Sequence, residues 1–301
     1  MIFAGIDVGS LTAKAVLLRD GRVAAWHVEP VSATPALSAR RVLGAALEKA
    51  QVNSEELARV CGTGYGRHEL PFAGDGPAPA YCERSEISCH GLGTFTSNPA
   101  VRSVIDIGGQ DCKVVVLDAA GLVDDFVMND KCAAGTGRTL ELLARTLGLP
   151  LGELGPRALR SRRALAVSNK CSIFMELDVM QWMHQGRRVE DIARGITASV
   201  ARRVAALAGK VTLRPGVCIS GGVSKNAAVV RELEQALGLR FVPLAHDPQI
   251  MGALGAACFA RLEHDRAREN DRRVLRASDQ PSSSPSSAVA SGCVGCAGGS
   301  P

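Results

Sequence analysis

Short apolar runs alternate with amphipathic stretches along the 301 residues of this chain. Apolar runs bounded by glycine or acidic residues predict β-strands, and apolar residues that recur every three or four positions predict helices. The predicted strands include 2–8, 12–19, 22–28, 58–62, 113–117, 217–220 and 239–244. The predicted helices are 36–51, 85–92, 138–147, 173–184, 189–208, 226–237 and 249–262. Mixed strands and helices in this order predict an α/β protein.

One strand-and-turn phrase occurs twice. It reads Ile-Asp-Val-Gly-Ser at 6–10, with Lys14 behind it, and Ile-Asp-Ile-Gly-Gly at 105–109, with Lys113 behind it. Because the acid, the first glycine and the lysine recur at one common offset, the chain is predicted to contain a duplicated structural unit. Each copy predicts a strand, a glycine turn and a returning strand.

Such a turn suits a bound phosphate. A glycine bend exposes backbone N–H groups to an anion, and an adjacent carboxylate can hold the magnesium that accompanies nucleotide phosphates. The sequence contains neither a Gly-x4-Gly-Lys-Ser/Thr loop nor a Gly-x-Gly-x-x-Gly fingerprint, so the common single-turn phosphate binders are not supported. Each turn alone could be an ordinary hairpin, but the pair predicts a nucleotide clamp.

A third glycine turn, Ser-Gly-Gly-Val at 220–223, precedes a predicted helix. With the two copies, it resembles the nucleotide signatures of the actin, sugar kinase and Hsp70 ATPase superfamily. The resemblance implies a duplicated, ribonuclease H-like two-domain fold with ATP or ADP in the cleft between the domains. It assigns residues 1–98 to the first subdomain and 99–245 to the second, with helix 246–263 returning to the first. The Ser, Pro, Gly and Ala composition of the remainder predicts a disordered tail over 265–301.

The same resemblance assigns roles to individual residues. It implies catalytic roles for Asp7, Asp106 and Gln110, and it gives Mg²⁺ to Asp7 and Asp106. The nucleotide contacts that it implies are Gly9, Ser10, Leu11, Thr12, Lys14, Gly108, Gly109, Gly135, Thr136, Gly137, Gly221, Gly222, Val223 and Asn226.

The amino-acid composition and net charge exclude some classes of function. With 46% hydrophobic residues the chain can bury one large core or two moderate ones, and its net charge of +5 comes from scattered arginines that suit solvated helix faces better than a nucleic acid. No apolar run is long enough for a transmembrane helix, so we expect a cytoplasmic protein that binds neither nucleic acid nor membrane.

Ten cysteines need an explanation. Four of them, Cys61, Cys112, Cys218 and Cys258, lie in apolar patterns and are predicted to be buried. Cys89 lies in the segment 85–90, which could simply cap and start a helix, and is predicted to be packed. Cys293 and Cys296 belong to the tail.

Two cysteines differ from the rest. Cys132 lies in Asn-Asp-Lys-Cys-Ala-Ala-Gly-Thr-Gly at 129–137 and Cys171 in Ser-Asn-Lys-Cys-Ser at 168–172, and each phrase precedes a predicted helix. A helix N-terminus lowers a thiol pKa and favours anions, including a thiolate-ligated iron–sulfur cluster. A cubane needs four thiolates, so a two-fold dimer would supply the other two. Two buried thiols at helix starts remain the alternative.

The phrase at 129–137, with Cys171 and Gly221 behind it, resembles the BadF/BadG/BcrA/BcrD ATPase family, and most closely the activators of 2-hydroxyacyl-CoA dehydratases, over about residues 2–261. The resemblance implies a homodimer that shares one [4Fe–4S] cluster through Cys132 and Cys171 of each subunit. ATP hydrolysis would drive one electron, received from a ferredoxin or flavodoxin, into a dehydratase. Alternatives are an ATPase subunit of a benzoyl-CoA reductase or another double-cubane reductase, a small-molecule kinase of the N-acetylhexosamine type, and an actin-like assembly protein.

Overall fold

A computed structural model describes residues 1–71, 80–129 and 136–278, with side chains as far as Asn270. The chain divides into two compact units, Met1–His264 and Asp265–Pro301, and the described part of the second unit is helical. Cys132, Gly135, Cys293 and Cys296 lie outside the described residues. No helix in the described ranges is both long and apolar enough to cross a membrane.

The first sheet has five strands in the order β3-β2-β1-β4-β5. Its strands and helices are β1 (Ile2–Val8), β2 (Thr12–Arg19), β3 (Arg22–Pro30), α1 (Pro35–Ala50), β4 (Leu57–Thr63), β5 (Ala80–Glu83) and α2 (Glu86–Ser97). β1 is buried along its whole length, since α1 covers one face of the sheet and apolar residues of the C-terminal helix cover the other.

The second sheet has four strands in the order β8-β7-β6-β9. Its strands and the remaining helices are β6 (Ser103–Ile107), β7 (Cys112–Leu117), β8 (Val123–Met128), α3 (Gly137–Thr146), α4 (Leu151–Leu159), α5 (Ser172–His184), α6 (Val189–Ala208), β9 (Val217–Ser220), α7 (Ala227–Leu237) and α8 (Met251–Ser278). Apolar residues of α3 to α7 pack on β6 and β7 in one continuous core.

Both sheets contain the same pairing. β1 pairs antiparallel with β2 and parallel with β4, and β6 pairs antiparallel with β7 and parallel with β9. The register places Asp7 opposite Lys14 in the first sheet and Asp106 opposite Lys113 in the second. The duplicated phrase of the sequence therefore forms the same local structure twice.

Helix α8 packs closely on α2 because small residues line the contact. A Cβ on Gly255 would clash with the backbone carbonyl of Cys89, and one on Gly93 would clash with that of Met251. These glycines let the two helix backbones approach each other.

Several predicted elements differ from the structure. Residues 239–244 form no strand: Val242 N still donates to Val217 O, but Phe241 N donates to Glu234 Oε1 and Pro243 O accepts from Asn98 Nδ2, so side chains replace part of the backbone pairing. β5 and α4 were not predicted, and α2 extends to Ser97. α8 continues to Ser278, beyond the predicted end at 262 and into the stretch predicted to be disordered.

Candidate functional site

The glycine turns of both sheets face one large cleft. Its cavity measures about 1090 Å³, which exceeds the range of about 300–1,000 Å³ typical of small-molecule sites. The predicted site residues that line it are Gly9, Ser10, Leu11, Thr12, Lys14, Asp106, Gly108, Gly109, Gln110, Gly137, Gly221, Gly222, Val223 and Asn226. Thr136 is the buried N-cap residue of α3, and Asp7 is buried at the end of β1.

In the first copy, the turn is closed by a hydrogen bond of 3.1 Å from Gly9 N to Thr12 O. Lys14 Nζ donates to Asp7 Oδ2 at 3.1 Å. Asp7 Oδ1 is buried and accepts no hydrogen bond from any residue that the structure describes. Gly64 has a φ of +88°, and a Cβ at this position would clash with that oxygen. A buried carboxylate oxygen without a partner is rare in folded proteins and fits a site for a cation or its bound water.

In the second copy, Gly108 N donates to Asp111 O at 2.9 Å, so the turn has the same form. The carboxylate of Asp106, however, has several partners. Ser220 Oγ donates to Asp106 Oδ1 at 2.7 Å, and His90 Nδ1 lies 3.2 Å from the same oxygen. Lys113 Nζ donates to Asp106 Oδ2 at 3.2 Å. The two aspartates therefore have different surroundings.

Lys113 is the centre of a buried ion cluster. Its ammonium lies 2.8 Å from Glu86 Oε1, 3.2 Å from Asp106 Oδ2 and 3.0 Å from Asp111 Oδ2. Burial opposes charge on Lys113, but attraction to Asp106 and Glu86 outweighs it and raises the pKa of Lys113. Burial likewise opposes charge on Asp106, but the attraction of His90 and Lys113 holds its pKa well below the usual range. Both groups are therefore charged at neutral pH.

The contribution of α2 to this cluster was not predicted from the sequence. Glu86 and His90 lie one helical turn apart, and their ligand atoms and one of Asp106 lie within 4.8 Å of one another. A metal could be held by such a set, but the ammonium of Lys113 already lies between Glu86 and Asp106. The i, i+4 spacing of an acid and a histidine in the segment 85–90 was the available signal.

Replacing Lys113 with methionine is expected to lower the free energy of unfolding by about 3–5 kcal/mol, because buried carboxylates would lose their cation. Urea unfolding without nucleotide, followed by circular dichroism, measures this loss. Lys14→Met is the matched control: in the described ranges its ammonium pairs with Asp7 alone, and its side chain is 13% exposed, so a smaller loss is expected. If both variants lost the same free energy of unfolding, the conclusion that the two lysines have different surroundings would be contradicted.

The far end of the cleft is formed by helices α3 and α4. Its lining residues there are Arg138, Leu140, Glu141, Leu151, Gly152, Gly155 and Pro156. α4 escaped prediction because Pro156 lies inside it and two glycines interrupt its pattern. A Cβ on Gly155 would clash with the side chain of Asn226, which caps α7 by accepting hydrogen bonds from Ala228 N and Val229 N.

Cys171 is the N-cap residue of α5, as the sequence predicted for a cysteine at a helix start. The loop before it is fixed: Ser168 N donates to Asp178 Oδ2 at 2.7 Å, and Arg203 Nη1 donates to the carbonyls of Asn169 and Lys170. The thiol of Cys171 is partly exposed. A partly exposed thiol at the positive end of a helix can serve as a metal ligand.

Helix α5 also exposes a row of large apolar side chains. Ile173 is 65% exposed and Phe174 57%, and Leu177, Met180 and Met183 are also exposed. Such a patch beside a thiol marks an interaction surface. We call these five residues the α5 apolar face.

The remaining cysteines of the described ranges are mostly interior. Cys61, Cys112, Cys218 and Cys258 are buried, which confirms the prediction for these four, and Cys89 is buried as well. Burial raises the pKa of Cys112 and Cys218.

Two sheets with the same strand pairing, each ending in a glycine turn at a shared cleft, define the class of duplicated actin-like ATPases. The chain belongs to the BadF/BadG/BcrA/BcrD ATPase family, whose model matches residues 4–260. Both conclusions confirm the expectations from sequence.

Named relatives are similar over nearly their full length. The chain is 40% identical to the activator of lactoyl-CoA dehydratase from Anaerotignum propionicum, covering 86% of this chain and 97% of the relative. It is 39% identical to the (R)-2-hydroxyglutaryl-CoA dehydratase activating ATPase from Acidaminococcus fermentans, with 85% and 95% covered. A solved activator of 2-hydroxyisocaproyl-CoA dehydratase from Clostridium difficile, with bound ADPNP, is 36% identical, with a TM-score of 0.82 and 90% and 98% covered.

Proposed function

We propose that this protein is an ATP-dependent one-electron donor that activates a 2-hydroxyacyl-CoA dehydratase. The names of the relatives support this assignment, and the observation that carries it is a structural link between the cleft and Cys171. Gly137 N and Arg138 N, at the start of α3, donate to the carbonyls of Gly108 and Gly109 in the second turn. At the other end of α3, Thr146 Oγ1 donates to Glu176 Oε1 of α5 at 3.0 Å.

This link gives a physical route for coupling. A phosphate bound or released at the second turn would move the start of α3, and α3 packs against the helix that begins at Cys171. Two nucleotide states would then favour two positions of α5. ATP and ADP would stabilise these two positions of α5 to different extents. That difference in free energy could drive the transfer of an electron to an acceptor of lower potential.

The nucleotide would bind with its phosphates between the turns at Gly9 and Gly108 and its base toward α4. Asp7 Oδ1 has free lone pairs, so we assign Mg²⁺ or a magnesium-bound water to Asp7. Asp106 instead orients the second turn through Lys113 and Ser220. Gln110 is exposed on that turn, where its amide can orient the water that attacks the γ-phosphate. Bound magnesium would neutralise phosphate charge.

The α5 apolar face supports a homodimer. A two-fold axis through this surface would bury the same residues of both subunits and bring their Cys171 thiols together. Cys171 and Cys132 of each subunit would then hold one [4Fe–4S] cluster, which supplies a single low-potential electron when bound. Within the described residues, Cys171 fits this role by position and exposure. A ferredoxin or flavodoxin is the expected electron donor.

The decisive experiment mixes the anaerobic, dithionite-reduced protein with a purified 2-hydroxyacyl-CoA dehydratase. Dehydration of the 2-hydroxyacyl-CoA is expected with Mg-ATP and not with ADP or without nucleotide. A dehydratase that stays inactive while ATP is hydrolysed would reject the proposal. Activation of a benzoyl-CoA reductase instead would favour that partner, and phosphorylation of an N-acetylhexosamine would favour a kinase.

A further inference from the structure

Two cysteines lie opposite each other on adjacent strands of the first sheet. Cys61 of β4 is the register partner of Cys82 in the parallel strand β5. Neighbouring strands lie about 4.8 Å apart, within the Cα separation of about 4.4–6.8 Å that disulfides require. Each of the two thiols shifts the pKa of the other, so their side chains interact directly. Backbone geometry therefore already brings the two sulfurs together.

The two thiols have unequal surroundings. Cys61 is buried, whereas Cys82 is partly exposed at the edge strand of the sheet. Arg84 lies two residues after Cys82, and Arg59 lies two residues before Cys61. Arg59 Nε is buried and has no hydrogen-bond partner among the described residues. Both guanidinium groups act on the charge of the more accessible thiol, although Arg84 also pairs with Glu263.

These surroundings favour Cys82 as the nucleophile and Cys61 as the resolving thiol. The neighbouring Cys61 thiol, then Arg84 and Arg59, lower the pKa of Cys82 against the effect of burial. The neighbouring Cys82 thiol and burial raise the pKa of Cys61. Nearby Cys89 of α2 is buried, and burial raises its pKa to about 12. Cys82 is thus the thiol of this region that is both activated and accessible.

We propose that Cys61 and Cys82 are a redox modification site, which a low-molecular-weight disulfide such as oxidised glutathione converts to an intramolecular disulfide. The Cys82 thiolate attacks one sulfur of oxidised glutathione, the S–S bond breaks, and one glutathione thiolate leaves. Cys61 then loses its proton and attacks the Cys82 sulfur of the mixed disulfide, which releases the second glutathione. Two protein thiols are oxidised, and one oxidised glutathione is reduced to two thiols.

The site lies close to the nucleotide cleft. Gly62 and Thr63, which follow Cys61 in β4, pair with Ile6 and Asp7 of β1. Thr63 Oγ1 also donates to the carbonyl of Arg84 at 3.0 Å. A bond between Cys61 and Cys82 would join the edge strand covalently to the strand that flanks Asp7.

Peptide mapping of the full chain tests the site. Trypsin cleaves after Arg59, Arg67 and Arg84, so Cys61 and Cys82 fall in the separate peptides 60–67 and 68–84. After anaerobic treatment with oxidised glutathione and alkylation of remaining thiols, mass spectrometry is expected to find these two peptides joined. Dithiothreitol is expected to separate them again.

Two variants sharpen the result. Cys82→Ser is expected to leave Cys61 alkylated and free of glutathione, and Cys61→Ala is expected to stop at the mixed disulfide on Cys82. Circular dichroism of both variants checks their fold. Wild-type protein that carries glutathione on Cys82 without the link, that joins 68–84 to the Cys89 peptide 85–102, or that keeps both thiols free would overturn the proposal.

Discussion

Asp7→Asn is expected to lower kcat for ATP hydrolysis by about 100-fold or more, because the substitution removes the charge that binds a cation or orients its water. Asp7 is the aspartate of the duplicated pair with a buried oxygen that accepts no hydrogen bond from the described residues. The asparagine side chain has nearly the same volume, so the fold should persist. Phosphate release over a series of magnesium concentrations measures the loss, and a shift toward higher magnesium requirement should accompany it.

Asp106→Asn is the matched control. Its carboxylate is held by Ser220 and Lys113 and lies beside His90, so this substitution is expected to reduce stability more than Asp7→Asn does. Thermal unfolding without nucleotide separates the two effects. If Asp106→Asn abolished hydrolysis at full stability while Asp7→Asn remained active, the assignment of the two aspartates would have to be exchanged.

The duplicated turns could be predicted from sequence because their determinants are local. Asp7 and Lys14 face each other across a tight antiparallel turn, so a short phrase carries the residue types and their register. The same holds for Asp106 and Lys113. Cysteines in apolar runs, such as Cys218 in β9, are likewise buried because the whole strand is.

The different surroundings of the two aspartates could not be predicted. His90 and Glu86 reach Asp106 and Lys113 from α2, and Ser220 reaches Asp106 from β9, which is more than a hundred residues away. No periodicity encodes which residues of a distant helix meet a given carboxylate. Among the described residues, Asp7 keeps its lysine but has no partner equivalent to His90 or Ser220, and this difference is visible only after the chain has folded.

Two errors in the secondary structure predicted from the sequence have opposite causes. The apolar run 239–244 has strand composition, yet its backbone is satisfied in part by the side chains of Glu234 and Asn98, and Pro243 has no N–H for a ladder. α4 has poor helix composition because of Pro156, yet Leu154 and Ala158 are buried in the second core. Tertiary packing outweighed local propensity in both cases.

Cys171→Ser is expected to abolish iron binding while ATP hydrolysis stays within about twofold of the wild type. If each subunit supplies two of the four thiolates of a cubane, wild-type protein purified without oxygen carries about two irons and two sulfides per chain, and the variant leaves only half of the ligands. Inductively coupled plasma mass spectrometry measures iron, and phosphate release measures hydrolysis. All variants are made in a Cys293→Ala, Cys296→Ala background, so that the tail cysteines contribute no iron.

Cys218→Ala is the matched control for this loss, because its thiol is buried in β9 and is expected to leave the iron content unchanged. The iron count also tests the shared cluster. About four irons per chain would place a complete cluster in each subunit, and a Cys171→Ser protein that keeps its iron would remove Cys171 from the ligand set. If wild-type protein bound no iron but hydrolysed ATP, the electron-transfer function itself would fail and the kinase alternative would take its place. Loss of iron with hydrolysis intact would instead separate the two chemistries: Asp7 and the glycine turns act on ATP, and Cys171 at the start of α5 holds the electron carrier.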